Sequence, residues 1–315
     1  MPTRFEQLLA SGAMVLGDCA IGTRLHLESP LPTDDELGLV PLFDDANGVA
    51  AIRAVVAGYV ATAAELGLPI VVDTPTWWAR PDRLAATGIT GDAARAVVRR
   101  GTEVVTALRS RYPDLYALAP IGPSTDGYRA EVVDRPRAQV LHQWQLESLA
   151  GTDVDLIVAA TFANALDLEV AASVLAASDV PFVLGPTVDE RGCLPDGTYL
   201  PDLIDHIDAV IARPALHWAL WCTHPEIARQ ALDRIGATND AAHRRIRQLK
   251  ANGSSASADE RDGARRVLSD PAEPWAIAAM TAARDHDLRI VGGCCGTDHR
   301  HLLSLALRVA DPSLI

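Results

Sequence analysis

The stretch LHWALWCTHPEIARQALDRI, residues 216–235, holds the alternation that decides the fold. Residues 216–222 are apolar on both faces, the pattern of a strand covered on each side. Pro225 then stands where a first helical turn tolerates proline, and 225–235 reads as an amphipathic helix. One unit is therefore a buried strand, a short turn and a covering helix. Working outward, the unit recurs. Strand-like runs occupy 13–17, 70–73, 116–121, 154–159, 182–185 and 288–292. Helical stretches lie over 47–66, 92–112, 137–151, 167–177, 200–212, 274–286 and 299–310. Asp92 and Asp167 sit where N-caps belong, and Pro274 suits a first turn. Residues 246–251 (IRQLKA) stand where a seventh strand is due, yet are far too polar for a buried one. The following 251–263 (ANGSSASADERDG) reads as a flexible loop.

Eight strands alternating with eight helices predict the α/β class and a (β/α)8 TIM barrel in a single domain, 1–315. A doubly wound open sheet has the same periodicity. The 315 residues suit one barrel, and 49% hydrophobic content supplies a sizeable core. A net charge of −13 argues against nucleic acid or an anionic membrane as partner. No apolar run approaches the roughly 18–20 residues of a bilayer span. An odd cysteine count, five, without a secretion signal points to a reducing cytoplasm. Lys250 is the only lysine, in a polar stretch, which leaves imine chemistry a single poor candidate.

In a parallel barrel the active site lies beyond the C-terminal strand ends. Strand one ends in Gly17-Asp18-Cys19 and strand two in Asp73 followed by Thr74-Pro75-Thr76-Trp77-Trp78. Strand six ends in Trp221-Cys222-Thr223-His224 and strand eight in Gly292-Gly293-Cys294-Cys295-Gly296. Three cysteines and three tryptophans are thus expected on one rim. Three thiolates and an open fourth position are a donor set for catalytic zinc. The flanking glycines permit a turn that aims two adjacent sulfurs at one ion. Spacing alone leaves inert or redox-sensing cysteines equally open.

The segments DCAIGTRL (18–25), 73–84, WCTHPE (221–226) and GGCCGT (292–297) together resemble the homocysteine S-methyltransferase family. The resemblance runs over nearly the whole chain and implies the (β/α)8 barrel. It further implies Zn2+ held by Cys222, Cys294 and Cys295, a methylsulfonium or quaternary ammonium donor, and a thiol acceptor. Both partners are small molecules, and the reading leaves room for a homo-oligomer. Aromatic faces are the natural recognition device for such a cation, and Trp77, Trp78 and Trp221 are placed to supply them. Asp18 and Thr161 complete the expected substrate-binding set.

Several positions depart from the family pattern. Strand four usually ends in Glu-Thr, whose carboxylate helps hold an amino-acid substrate; here Ala160-Thr161 stand there. An ammonium group without that partner loses a contact of about 1.5–3 kcal/mol. Trp221 replaces an asparagine, Cys19 replaces a glycine and reads as a small core residue, and only Asn252-Gly253 remains of an aromatic-Pro-Asn sequence. The expected acceptor is homocysteine or, given Ala160 and Trp221, a different thiol or selenol. A zinc hydrolase or lyase on the same barrel would instead need a general base, for which Asp18, Asp73 and His224 are candidates. His224 reads better as a helix cap. A non-catalytic zinc- or onium-binding protein is the remaining alternative. Cys193, in an expected loop, is neither ligand nor nucleophile.

Overall fold

Short runs of Val, Ile, Leu and Ala form eight strands, and their apolar faces on both sides require partners on both sides. In the computed structural model, which describes residues 2–257, 260 and 266–314, these are β1 (Val15–Gly17), β2 (Ile70–Asp73), β3 (Leu115–Ile121) and β4 (Leu156–Phe162). They continue with β5 (Phe182–Pro186), β6 (His217–Thr223), β7 (Ile246–Ala251) and β8 (Ile290–Gly293). All pair in parallel and in chain order, and β8 closes on β1. This is the expected single (β/α)8 barrel. Alternation divides the side chains: Val71, Leu118, Val158, Val183 and Ala219 fill the interior, whereas Val72, Ala119, Ile157, Leu184 and Leu220 pack under the helices.

The end at the strand N-termini is plugged. Helix Arg4–Ala10 starts with a Thr3–Glu6 capping box and drives Phe5, fully buried, into the interior cluster, 5.4 Å from the Tyr116 ring. The C-terminal end stays open, and the strand-to-helix loops there carry the site.

Four sequence expectations need correction. The polar segment 246–251 is a full strand with those bounds, because its inward polar residues find partners on other strands. Gln248 accepts through Oε1 from His217 Nε2 at 2.9 Å, and Lys250 meets Asp18 and Asp73. Asp92 and Asp167 lie inside their first turns; Thr90 and Asn164 are the caps, and only Asn164 bonds its helix by its side chain. Asp167, fully buried, instead meets His142 at 2.8 Å and the Ser124 amide at 2.7 Å. The expected loop 251–263 opens in close-packed backbone, with Asn252, Gly253 and Ser254 buried; its residues 258, 259 and 261–263 lie outside the described ones. Finally, helix Ala46–Glu65, twenty residues, is long and apolar enough for a bilayer span by length and composition alone. Its Ile52, Val56, Tyr59, Val60 and Ala63 are buried in the layer between barrel and helices.

Candidate active site

At the end of β6 the ladder to β7 shifts register between Trp221 and Thr223, and Cys222 adopts φ 54°. A non-glycine residue in the left-handed region costs about 1–3 kcal/mol and persists only where its surroundings impose it. The bulge breaks strict alternation, so Trp221 and Cys222 both belong to the interior cluster. The end of β4 repeats the device: the ladder to β5 shifts between Ala160 and Phe162, and Thr161 adopts φ 59°. Thr161 thereby faces the cavity.

At the end of β8 the glycines do what their spacing suggested. A Cβ at Gly293 would fall 2.2 Å from Thr297 Oγ1 and 2.7 Å from Cys19 Sγ, so no other residue fits there. Gly296, at φ 83°, turns the chain immediately after Cys295. The ligand atoms of Cys222, Cys294 and Cys295 come to lie within 4.8 Å of one another. Tetrahedral zinc at about 2.3 Å from sulfur needs sulfurs roughly 3.8 Å apart, so the donor set and its spacing fit such an ion.

Two side chains that sequence reading did not assign complete this group. Tyr128, on the loop after β3, donates its hydroxyl to Cys222 Sγ at 3.3 Å and lies 3.9 Å from Cys295 Sγ. Asn252, directly after β7, donates its amide to Cys222 Sγ at 3.1 Å. Hydrogen bonds from Cys222 and Cys294, with further ones from Thr23 and Tyr128, hold Cys295 well below the ordinary thiol range. Asn252 carried a weak signal as the remnant of a family sequence. Tyr128 carried none, being 94 residues from Cys222.

A cavity of about 320 Å³ opens beside the sulfurs. Trp77, Trp78, Trp221, Tyr128 and Thr161 line it together with Asp18. Trp77 stands edge-on to Trp78 at 4.6 Å between ring centroids and donates its indole N–H to the Ala160 carbonyl at 2.8 Å. The Arg83 guanidinium lies 4.5 Å from the Trp78 ring centre. All three tryptophans expected on the rim thus line one cavity.

At the cavity floor, Lys250 is buried between Asp18, which it contacts directly, and Asp73 at 3.1 Å. Burial alone lowers a lysine, but the two carboxylates outweigh it and hold Lys250 above its ordinary value. Burial pushes the Asp18 carboxyl up to about 8 against the pull of Lys250. The lone lysine, noted in the sequence only as standing in a polar stretch, is therefore buried in the site.

The candidate bases of the hydrolase alternative are all engaged. Asp18 and Asp73 hold Lys250, and Asp18 also accepts the Asp73 amide at 3.3 Å. His224 caps helix Pro225–Thr238, its Nδ1 accepting from Glu226 N at 3.3 Å and its Nε2 meeting Asp270 at 3.0 Å. Cys19 is buried in the core, as expected, and burial pushes its thiol up to about 12. Cys193 lies outside the sulfur group.

Comparison with known proteins supports one assignment. A family model described as homocysteine S-methyltransferase matches residues 15–309. A search of curated protein sequences returns no match. Among solved structures, the metallated form of the homocysteine methyltransferase MmuM from Escherichia coli superposes with a TM-score of 0.75 at 20% identity, covering 96% of this chain and 98% of that one. Its oxidized form gives 0.76 at 20% identity with the same coverage, and its apo form 0.67 at 19%. At these identities the structures speak for the fold.

Proposed function

The chain belongs to the homocysteine S-methyltransferase family, and from that premise we propose that it methylates a thiol at the Cys222–Cys294–Cys295 centre with zinc as cofactor. It is an S-methyltransferase; the metal, donor and acceptor are the proposal. The methyl donor is a sulfonium or quaternary ammonium compound. In the overall reaction the acceptor S–H gives up its proton, its sulfur forms a bond to the methyl carbon, and the carbon–onium bond breaks. The leaving group departs neutral with the bonding pair.

The observation that carries this reading is three cysteine sulfurs within 4.8 Å of one another, two of them, Cys294 and Cys295, lining a cavity walled by tryptophan. Zinc, when bound, supplies the Lewis acidity that keeps a thiol sulfur anionic near neutral pH. The remaining work falls to the chain. Tyr128 and Asn252 donate to Cys222 and fix its sulfur's direction. Trp77, Trp78 and Trp221 offer faces to a cation that has no N–H to donate, and exclude water around it. Thr161 and Asp18 line the acceptor side. Ala160, lacking a carboxylate, and Trp221, filling space, support an acceptor other than homocysteine.

The test is metal analysis of the purified protein and its Cys222→Ala variant, followed by methyl-transfer assays with S-methylmethionine and betaine against a thiol panel. One zinc per chain, lost in the variant together with turnover, is the expected result. A metal-free wild type overturns the zinc reading, and efficient turnover of homocysteine overturns the altered acceptor.

A further inference from the structure

The charge pattern of the cavity floor narrows the acceptor class, granted that the cavity is a thiol-methylation site. Asp18 and Asp73, at the ends of β1 and β2, are its deep carboxylates. Both are already bound to an ammonium group that belongs to the protein, that of Lys250. Both Asp18 oxygens are engaged, one by Lys250 and the other by the Asp73 amide. The end of β4 adds no carboxylate, since Ala160 stands there and its carbonyl accepts from Trp77.

Two other acidic residues line the cavity, Asp34 and Asp35, and neither competes for that role. Asp34 Oδ1 accepts from the Glu36 and Leu37 amides, and the Asp35 side chain is 92% exposed and paired with His26. The rest of the lining adds no carboxylate: it is indole, phenol and aliphatic surface with the hydroxyls of Thr23, Thr74 and Thr161, the His26 ring and cysteine sulfur. Lys250 has three N–H donors. Two face carboxylates, and the third has no protein partner among the described residues. The lysine also lies 5.8 Å from the centre of the Trp221 ring.

We propose that Lys250 is a specificity-determining residue whose ammonium occupies the place an amino-acid acceptor's own ammonium would take, so that the site accepts thiols carrying no ammonium. An incoming cation would have to share two carboxylates with a fixed one at close range, whereas a hydroxyl or alkyl group meets a finished network. Discrimination thus comes from an introduced repulsive element as much as from attraction.

The test compares pairs in which one thiol carries an ammonium group and the other does not. Calorimetric affinities of the zinc-supplemented protein are measured for mercaptoethanol against cysteamine, and propanethiol against homocysteine, with kcat/KM for the same thiols and S-methylmethionine. The uncharged member of each pair is expected to bind at least about tenfold more tightly. In Lys250→Met, Asp18 and Asp73 lose their cation, and cysteamine is expected to overtake mercaptoethanol. A merely structural lysine would weaken both thiols alike. Cysteamine or homocysteine binding as well as its uncharged partner overturns the proposal, as does no thiol binding at all. A Lys250→Met protein that folds yet keeps the wild-type ratio overturns it too. If the variant does not fold, the wild-type pairs decide alone. Selective binding without any methyl transfer defeats the proposed function and supports this inference; turnover of homocysteine at least as fast as propanethiol does the reverse.

Discussion

The barrel carries two clusters in which carboxylate meets cation, one at each end, and they are built from the same chemistry for different ends. Before β4, at the plugged end, Asp155 takes Arg4 and Arg109, and the Arg4 side chain is 45% exposed. After β1, at the open end, Asp18 and Asp73 take Lys250, whose side chain is 4% exposed. The first cluster holds its exposed member, Arg4, against Asp155, which is 7% exposed and also bound by Arg109, and serves to dock the N-terminal helix. In the second, each group is held by the others and faces a cavity. Burial, not the identity of the charges, separates a surface tie from a specificity element.

Breaking the open end should cost most. Cys222→Ala should lower methyl transfer by about 10³-fold or more, the scale expected when a metal-based activation is lost, while thermal stability is measured alongside. Loss of activity without loss of bound zinc would detach Cys222 from the centre. Next, Lys250→Met should destabilise the fold by about 3–5 kcal/mol in denaturant titrations at neutral pH, because it strands two buried carboxylates. A loss below about 1 kcal/mol would show that this cluster behaves like the exposed one.

A third test turns on pH. His217, at the start of β6 and 2% exposed, is held down to about 4 by burial, against its hydrogen bond with Gln248 and 6.5 for a free histidine. The native state therefore binds fewer protons than the unfolded chain between those values. Stability fully present above pH 6.5 should fall by roughly 3 kcal/mol as pH drops towards 4. His217→Gln should remove that part of the slope; an unchanged slope would place the acid sensitivity elsewhere. Smallest of all, Arg4→Met at the plugged end should change stability by no more than about 1 kcal/mol and leave turnover unaltered.

The same contrast explains what the sequence made legible. Seven apolar strands, the helix behind each, and the GGCCGT and WCTHPE segments could be read locally, since hydropathy period and motif spacing are local properties. β7 could not, because Gln248 and Lys250 are paid for by His217, Asp18 and Asp73, which lie on other strands. Local hydropathy counts the polar atoms of IRQLKA and misses their partners. The bulges at Thr161 and Cys222 were hidden for a related reason: neither position bears the glycine that normally marks a left-handed residue. Tyr128 reaches the sulfurs only through the path of a long loop. A lone lysine in a barrel strand, with aspartates ending two other strands, was the one available sign of the buried triad.

The most direct test of the central claim is zinc-edge X-ray absorption on the zinc-loaded protein, alone and with an uncharged thiol. Three sulfur neighbours at about 2.3 Å, rising to four on addition of propanethiol, is the predicted result. Two or fewer protein sulfurs, or a count that propanethiol leaves at three, would contradict it.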